Sequence, residues 1–289
     1  MLRSTFAFVL AAAIAPIATE PASVQSTSAC QPAGKIIPLA GLPEASGLAA
    51  SLTTAGRLWS HNDSGKPEIV SLDTSGQVTG RVAVSGAAVV DWEAIAPARC
   101  GGRPCLFIGD IGDNNASRRN ITIYRIADPA AGASSVRVDA VIRATYPDGA
   151  QDAEALLATP DGTLYIVTKG ETGPVALYRL RETAGGDVTT QLERVGTLGK
   201  GRAAARITDG AISPDGDVVL LRTRDALTFY RAADFLKGEF RAVRSVDLRS
   251  LREPQGEGVA FGPRGTVYLA GEGGGKSQAG TLAVLSCSM

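Results

Sequence analysis

The chain has 289 residues, with 29 basic and 29 acidic side chains, one histidine, four cysteines and 34 glycines. Zero formal charge with scattered Lys and Arg excludes a basic surface for nucleic acid or an anionic membrane, and one histidine excludes zinc sites built from several histidines. Abundant glycine with few aromatic residues is typical of many short strands joined by tight turns.

The N-terminal segment has the pattern of a signal peptide over residues 1–22. Arg3 supplies a positive charge, and residues 6–18 are apolar but too few to cross a bilayer stably. Residues 23–33 are predicted as a linker and residues 34–289 as a single domain. We expect an exported protein, periplasmic or extracellular, whose mature chain lacks a transmembrane span; an uncleaved membrane anchor is the alternative.

A short phrase, an acid followed by small residues and an apolar run, recurs through the domain. The acids stand at positions 44, 93, 154, 209 and 257, at intervals of 49, 61, 55 and 48 residues. A period near fifty residues is typical of β-propeller blades. The sequence therefore predicts an all-β propeller with five four-stranded blades, and the long second interval leaves six blades open.

Short apolar and β-branched runs, separated by Gly, Pro, Asp and Asn, supply the strands of each repeat. The predicted strands are 47–50, 58–61, 68–72 and 80–84; 94–97, 106–109, 121–126 and 138–146; 155–158, 164–168, 176–180 and 192–198; 211–213, 218–222, 227–231 and 242–248; and 259–261, 267–270 and 281–285. The last repeat lacks an outer strand. Residues 35–39 are predicted to supply it by pairing antiparallel with residues 281–285, which closes the ring.

The four cysteines become interpretable if the protein is exported to an oxidising compartment. Cys100 and Cys105 bracket a turn, so a local disulfide is easy to form, although half of a metal site is the alternative. That pairing leaves Cys30 and Cys287, one at each end of the domain. Closure by the N-terminal strand would bring these two together, so the closure and the second disulfide predict each other.

The repeated acids begin the predicted inner strands, which line the channel of a propeller. The predicted metal ligands are Glu44, Glu93, Glu154, Asp209 and Glu257. Converging carboxylates either raise one another's pKa values or bind a cation. Oxygen ligands suit Ca²⁺ best, ahead of Mg²⁺ and Mn²⁺. The alternative is structural: the acids cap backbone amides between blades.

The ends of the second strands open on the same face and add polar residues. The candidate ligand-binding residues are Asn62, Asp63, Asp110, Asp113, Asn114, Arg224 and Glu272. His61, Lys169 and Arg222 are the catalytic candidates, because a metal beside cations can hold a phosphate, sulfate or carboxylate. Alternatively the Asp- and Gly-rich strings are plain turns, the cations pair with the acids, and His61 is a hydrogen-bonded loop residue. Trp92 is interpreted as packing between blades rather than as a substrate platform.

Three segments carry a resemblance to known proteins: 61–65 (HNDSG), 91–96 (DWEAIA) and 109–114 (GDIGDN). Over about residues 35–287 the chain resembles secreted bacterial β-propellers near the NHL/TolB-like group and the families labelled phytase-like or esterase-like. The resemblance implies a divalent cation at the channel mouth, as in lactonase-type propeller hydrolases. The chain departs from those enzymes in blade count and spacing, so the resemblance does not specify a reaction.

Two functions follow as hypotheses. The first is a metal-dependent hydrolase of phosphate esters or lactones, acting at the channel mouth on a small-molecule anion or another extracellular ligand. The second is a non-catalytic propeller that binds a ligand or a protein. In either case we expect a monomer.

Overall fold

The computed structural model describes residues 30–171, 173–181, 189–198, 206–275 and 277–288, almost entirely as short β-strands. The predicted signal peptide and the first part of the predicted linker lie outside these residues. The strands are β1 (Cys30–Pro32), β2 (Ile37–Leu39), β3 (Ala45–Ala50), β4 (Arg57–Asn62), β5 (Glu68–Asp73), β6 (Val78–Ser85), β7 (Trp92–Cys100), β8 (Arg103–Asp110), β9 (Ile121–Ala127), β10 (Ser135–Thr145), β11 (Ala153–Ala158), β12 (Leu164–Thr168), β13 (Val175–Leu180), β14 (Thr189–Gln191), β15 (Glu193–Leu198), β16 (Ile207–Ile212), β17 (Val218–Thr223), β18 (Ala226–Arg231), β19 (Ala242–Asp247), β20 (Gln255–Phe261), β21 (Thr266–Glu272) and β22 (Gly280–Cys287). Among the described residues the helical elements are α1 (Ala232–Phe235) and one 3₁₀ turn (Arg249–Leu251), neither of which is predicted by the sequence pattern.

The strands form antiparallel meanders in chain order. They are β3-β4-β5-β6, β7-β8-β9-β10, β11-β12-β13-β15, β16-β17-β18-β19 and β20-β21-β22, the last completed by β1 and β2. The first strands contact one another in a closed series, from β3 through β7, β11, β16 and β20 back to β3. The prediction of an all-β propeller is confirmed, and we interpret the closed series as five blades around one channel.

The chain termini close the ring together. β2 pairs antiparallel with β22, with Ile37 opposite Leu282, as the N-terminal closure predicts. β1 adds a second pairing that the sequence pattern misses, and it places Cys30 opposite Cys287. Both predicted disulfides are present, Cys30–Cys287 and Cys100–Cys105. Residues 30–32, within the predicted linker, form this paired strand.

An outer strand links three meanders. The N-terminal end of β10 pairs in parallel with β6, its middle pairs with β9, and its C-terminal end pairs in parallel with β14. β10 has 11 residues and lies within the long second interval between the repeated acids, the interval that leaves room for a sixth blade. The strand makes a connection to both neighbouring meanders around the outside of the ring.

The core consists of apolar layers between neighbouring sheets. The β7 and β11 sheets, for example, enclose Phe107, Ile123, Leu156, Ile166 and Tyr178. Each blade has two apolar faces and buries them only against neighbours, which explains why closing the ring matters for stability. No helix in the described part of the chain is long and apolar enough to cross a membrane.

Candidate functional site at the channel mouth

Each inner strand contains a β-bulge near its start, at the same end of the channel. The pairing register shifts between Trp92 and Ala94, between Ala153 and Ala155, and between Gly256 and Val259. The bulged residues are therefore Glu93, Glu154 and the pair 257–258. A bulge adds an unpaired residue and re-aims its side chain, and bulges are common beside functional sites.

The same bulge holds a different residue in the other two blades. The shifts between Ser46 and Leu48 and between Ile207 and Asp209 place Gly47 and Thr208 at the equivalent position. Glu44 thus lies three residues before the bulge, and Asp209 lies one residue after it. The repeated acids are consequently not structurally equivalent. The sequence motif can be matched with its acid a few residues before or after the bulge, whereas the pairing register places one particular residue at the bulge.

Three bulge acids converge at the mouth. Glu93 is 7% exposed, Glu154 4% and Glu257 6%. Burial raises the pKa of Glu93 well above its ordinary value, and the negative charges of Glu154, Asp91 and Glu257 raise it further. Glu93 accepts a hydrogen bond from the Ser46 hydroxyl at 3.2 Å. The raised pKa extends the pH range over which Glu93 keeps its proton beyond that of an exposed glutamate.

Asp91 adjoins Glu93 and shares a hydrogen bond with it. The two carboxyl groups leave no space beside Gly112, where a Cβ atom would lie 2.5 Å from Asp91 Cγ and 2.7 Å from Glu93 Oε1. Burial raises the pKa of Asp91. Two adjacent carboxyl groups that share a hydrogen bond need a proton between them, or a cation, to offset their repulsion.

Lys169 supplies the positive charge on one side of the mouth. Its ammonium contacts a Glu154 carboxylate oxygen, lies 3.7 Å from Asp152 Oδ2 and 3.8 Å from Glu171 Oε2, and donates to Asn114 Oδ1 at 3.4 Å. Burial lowers the pKa of Lys169, but the surrounding carboxylates raise it above its ordinary value. Lys169 thus pairs with the acids, which is the alternative interpretation of this residue, and it is not free to bind an anion.

A second group of acids at the mouth, Asp63, Glu257 and Glu272, has no ion pair with Lys or Arg within the described ranges. Burial raises the pKa of Glu257, while a hydrogen bond with Gln255 and the charges of Arg222 and Lys169 lower it. Burial and then the charge of Glu44 raise the pKa of Asp63 to about 6. Burial, followed by Glu257, Asp63 and Glu44, raises the pKa of Glu272 to about 7. Asp63 Oδ1 is buried and accepts no hydrogen bond. We call these three residues the acidic half-site.

Asp209 has a structural role. Its carboxylate accepts hydrogen bonds from the backbone N–H of Gly210 at 2.7 Å and of Val259, on the neighbouring inner strand, at 2.8 Å. This is the amide-capping alternative that the repeat allows. Glu154 lies at the bulge and its carboxylate contacts Lys169, whereas Asp209 lies one residue after the bulge and its carboxylate binds backbone amides.

Two of the catalytic candidates are fully buried beside the inner strands. His61 has no exposed surface, its ring is 5.6 Å from that of Trp92, and burial lowers its pKa to about 4. Arg222 is also fully buried, and it donates to the carbonyls of Gly258 and Ala270 and to Glu253 Oε2. Both residues stabilise contacts between strands, so we leave them outside the proposed site.

The candidate ligand-binding residues of the loops fall into two groups: some are bonded to the protein itself, and the others lie at the mouth. Asp110 accepts bonds from the backbone of Val90 and Asp91 and pairs with Arg118 at 2.8 Å. Asp113 accepts from the Arg118 backbone, and Arg224 donates to the carbonyl of Pro254. Asp110 and Asp113 thus order the loop that carries them, whereas Arg224 links its loop to the loop before β20. Asn62, Asp63, Asn114 and Glu272 remain at the mouth.

Trp92 packs between blades, as predicted. Its side chain is fully buried between His61 and Tyr124, and its indole N–H donates to the Ala88 carbonyl at 2.9 Å. Sequence reasoning did not place Asp91 and Asp152 in the site. The signal was present, because both precede a bulge acid by two positions, as Asp-x-Glu.

The donors at the mouth are carboxylates, the ligand type that the predicted cation requires. Among the described residues, no three His, Cys, Asp or Glu side chains are already arranged to hold one metal ion. The chemistry of the half-site nevertheless suits a hard cation, since its donors are carboxylates and Asp63 Oδ1 is buried without a partner. The residues fit a divalent cation in type, and binding would require the side chains to move together.

No protein-family model and no curated protein matches this chain. Solved structures that resemble it are β-propeller proteins. The PQQ-bound aldose sugar dehydrogenase from Streptomyces coelicolor has a TM-score of 0.50 at 12% identity, covering 90% of this chain and 98% of its own. The gluconolactonase XC5397 from Xanthomonas campestris has a TM-score of 0.47 at 12% identity, and the alignment covers 84% of this chain and 72% of that one. The Cps50 (Swd1) propeller domain from Myceliophteria thermophila has a TM-score of 0.41 at 11% identity, and the alignment covers 85% of this chain and 97% of that one. At these identities the likeness shows the fold alone.

Proposed function

We propose that this protein is an exported, monomeric β-propeller that binds a divalent cation, Ca²⁺ in the first instance, at the acidic half-site. The observation that carries the proposal is the buried Asp63 Oδ1, which lacks a hydrogen-bond partner within a group of carboxylates. Leaving a buried charged oxygen unpaired is costly, and a bound cation removes that cost. The two disulfides suit an oxidising compartment and so support export.

The cation site would be formed by Asp63, Glu257 and Glu272, with Glu44 and Asn62 beside them. Asn62 Oδ1 accepts a hydrogen bond from the Glu44 backbone at 3.2 Å, and Ser64 donates to Glu44 Oε2 at 2.7 Å, which fixes the loop that carries Asp63. Glu93 and Glu154 lie on the side neutralised by Lys169, so we assign them a supporting role. The five-acid ligand set expected from the repeat is thereby reduced to the acids on one side.

A hydrolase of neutral lactones is the catalytic form of this proposal. The carboxylates at the mouth outnumber its cations, because Lys169 is paired and Arg222 is buried, so an anionic phosphate ester would be repelled. A bound divalent cation would polarise the carbonyl oxygen of a lactone. Glu93, with its raised pKa, would hold a proton near the substrate.

Calcium titration by calorimetry tests the cation site. Wild type should bind Ca²⁺, and Asp63→Asn should weaken binding by at least tenfold, because it removes an anionic donor. Asp139→Asn is the matched control, since Asp139 is half exposed and pairs with Arg125 elsewhere on the surface. Equal effects of the two substitutions, or no binding by the wild type, would refute the site.

The catalytic form is tested separately. Neutral lactones and p-nitrophenyl phosphate should be assayed with Ca²⁺, Mg²⁺ and Mn²⁺. We expect lactone turnover that is lost in Glu93→Gln and little phosphatase activity. Calcium binding without turnover of any substrate would instead support the non-catalytic, ligand-binding form.

A further inference from the structure

The end of the channel opposite the acidic mouth contains an apolar cavity of about 160 Å³. Leu48, Ile95, Leu156, Ala211 and Phe261, from all five inner strands, contribute to its lining. Its volume is close to that of an engineered apolar cavity of about 150 Å³ that stays dry and binds benzene. The cavity is therefore large enough for a single ring or a short alkyl chain.

Arg99 is the one charged residue among those that line this cavity. Arg99 is exposed, and no carboxylate among the described residues forms an ion pair with it. Its backbone is held in place by a hydrogen bond from its N–H to the Pro160 carbonyl at 3.2 Å and by the adjacent Cys100–Cys105 disulfide. Arg99 therefore lies on a fixed stretch of backbone at the edge of an apolar cavity, and its exposed guanidinium, which has no acidic partner among the described residues, can reach a ligand there.

The acids nearest this end are already engaged. Asp128 accepts from the backbone of Leu52 and Thr53 and from the Trp59 indole, whereas Asp161 and Asp215 accept from hydroxyls within their own turns. None of them forms an ion pair with Arg99. An anion that reaches Arg99 therefore does not have to displace a carboxylate.

We propose that this end of the propeller binds a small monocarboxylate with an apolar body, such as an aromatic acid or a short fatty acid. The planar guanidinium of Arg99 matches a carboxylate in shape and charge, and the cavity takes the apolar body. The carboxylate enters from the Arg99 end, because the opposite mouth is acidic. This site is independent of the cation site.

Calorimetry with benzoate tests the proposal, with benzyl alcohol as a neutral probe of the same size and inorganic phosphate as an anion without an apolar body. Benzoate should bind more tightly than either. Arg99→Gln should weaken benzoate binding about tenfold or more, as expected for a lost charge-assisted hydrogen bond, and should leave benzyl alcohol binding unchanged. Arg103→Gln, an exposed arginine on the same hairpin that does not line the cavity, is the matched control.

A second variant tests the cavity itself. Ala211→Leu places a larger side chain where the native residue is only partly buried, so it should fill the cavity and abolish binding of both aromatic probes while thermal unfolding stays cooperative. The proposal is overturned by an absence of benzoate binding to the wild type, by equal losses in Arg99→Gln and Arg103→Gln, or by phosphate binding as tightly as benzoate.

Discussion

The two ends of the channel are built from the same five strands but stabilised by different forces. At the mouth, buried carboxylates are held by Lys169, Arg118 and backbone amides. At the opposite end, the same strands present aliphatic side chains around a small cavity. One inner strand of about six residues can thus place a carboxylate at the mouth with its first residues and line an apolar cavity with its last ones. The difference indicates that charge changes should act mainly at the mouth and volume changes mainly at the other end.

The largest expected effect tests the charged end. Arg222→Ala should lower the free energy of unfolding by about 3–5 kcal/mol, because it leaves the buried Glu253 carboxylate without its ion pair. Urea denaturation measures this loss. Arg224→Ala, at an exposed arginine two residues away, should change stability by less than about 0.5 kcal/mol. Similar costs for the two substitutions would show that the buried pair contributes little.

The next effect tests the apolar end. Leu156→Ala should destabilise by about 2–4 kcal/mol, because Leu156 is buried and the substitution enlarges a cavity. The loss should be the same at pH 5 and pH 8, since no titrating group is involved. Val90→Ala, at an aliphatic residue 67% exposed, should have little effect in the same urea experiment. A pH-dependent cost at Leu156 would contradict the separation of the two ends.

Asp209→Asn tests which acids at the mouth are structural. The amide cannot accept from both the Gly210 and Val259 N–H groups, so we expect a loss of about 1–3 kcal/mol in stability. Calcium affinity, measured by calorimetry, should be unchanged. A large fall in calcium affinity would return Asp209 to the ligand set.

The last test concerns the pH dependence of the mouth. Burial raises the pKa of Glu154 to about 8 and that of Glu272 to about 7. The folded protein therefore binds more protons than the unfolded chain between about pH 4.5 and pH 8, so stability is greatest below that range and falls as the pH rises through it. We expect the free energy of unfolding to fall steadily between pH 5 and pH 8, as measured by chemical denaturation.

Glu154→Gln should flatten that dependence, and Glu239→Gln, at an exposed carboxyl, should leave it intact. Saturating Ca²⁺ should stabilise the wild type more at pH 8 than at pH 5, because its ligands must be deprotonated. Stability that rises from pH 5 to pH 8 in the absence of Ca²⁺ would contradict the raised pKa values.

Much of the fold could be predicted from local patterns. The repeated acidic motif indicated a propeller, because each blade repeats the same pattern of residues. The positions of the four cysteines indicated both disulfides, because each pair is brought together by a turn or by the ring closure. The site was harder to predict. Glu44 and Asp209 share the phrase with Glu93 but not its place in the register, and a bulge of one residue cannot be located from composition.

By itself the sequence determined the all-β class, the ring closure and the supply of acids at the starts of the inner strands. Only the tertiary structure decided which acids converge, which one caps amides, and that Lys169 neutralises one side while Asp63 Oδ1 is left without a partner. The physical reason is that periodicity depends on neighbours along the chain. Charge pairing, burial and cavity shape depend on residues some fifty positions apart, which meet only when the ring closes.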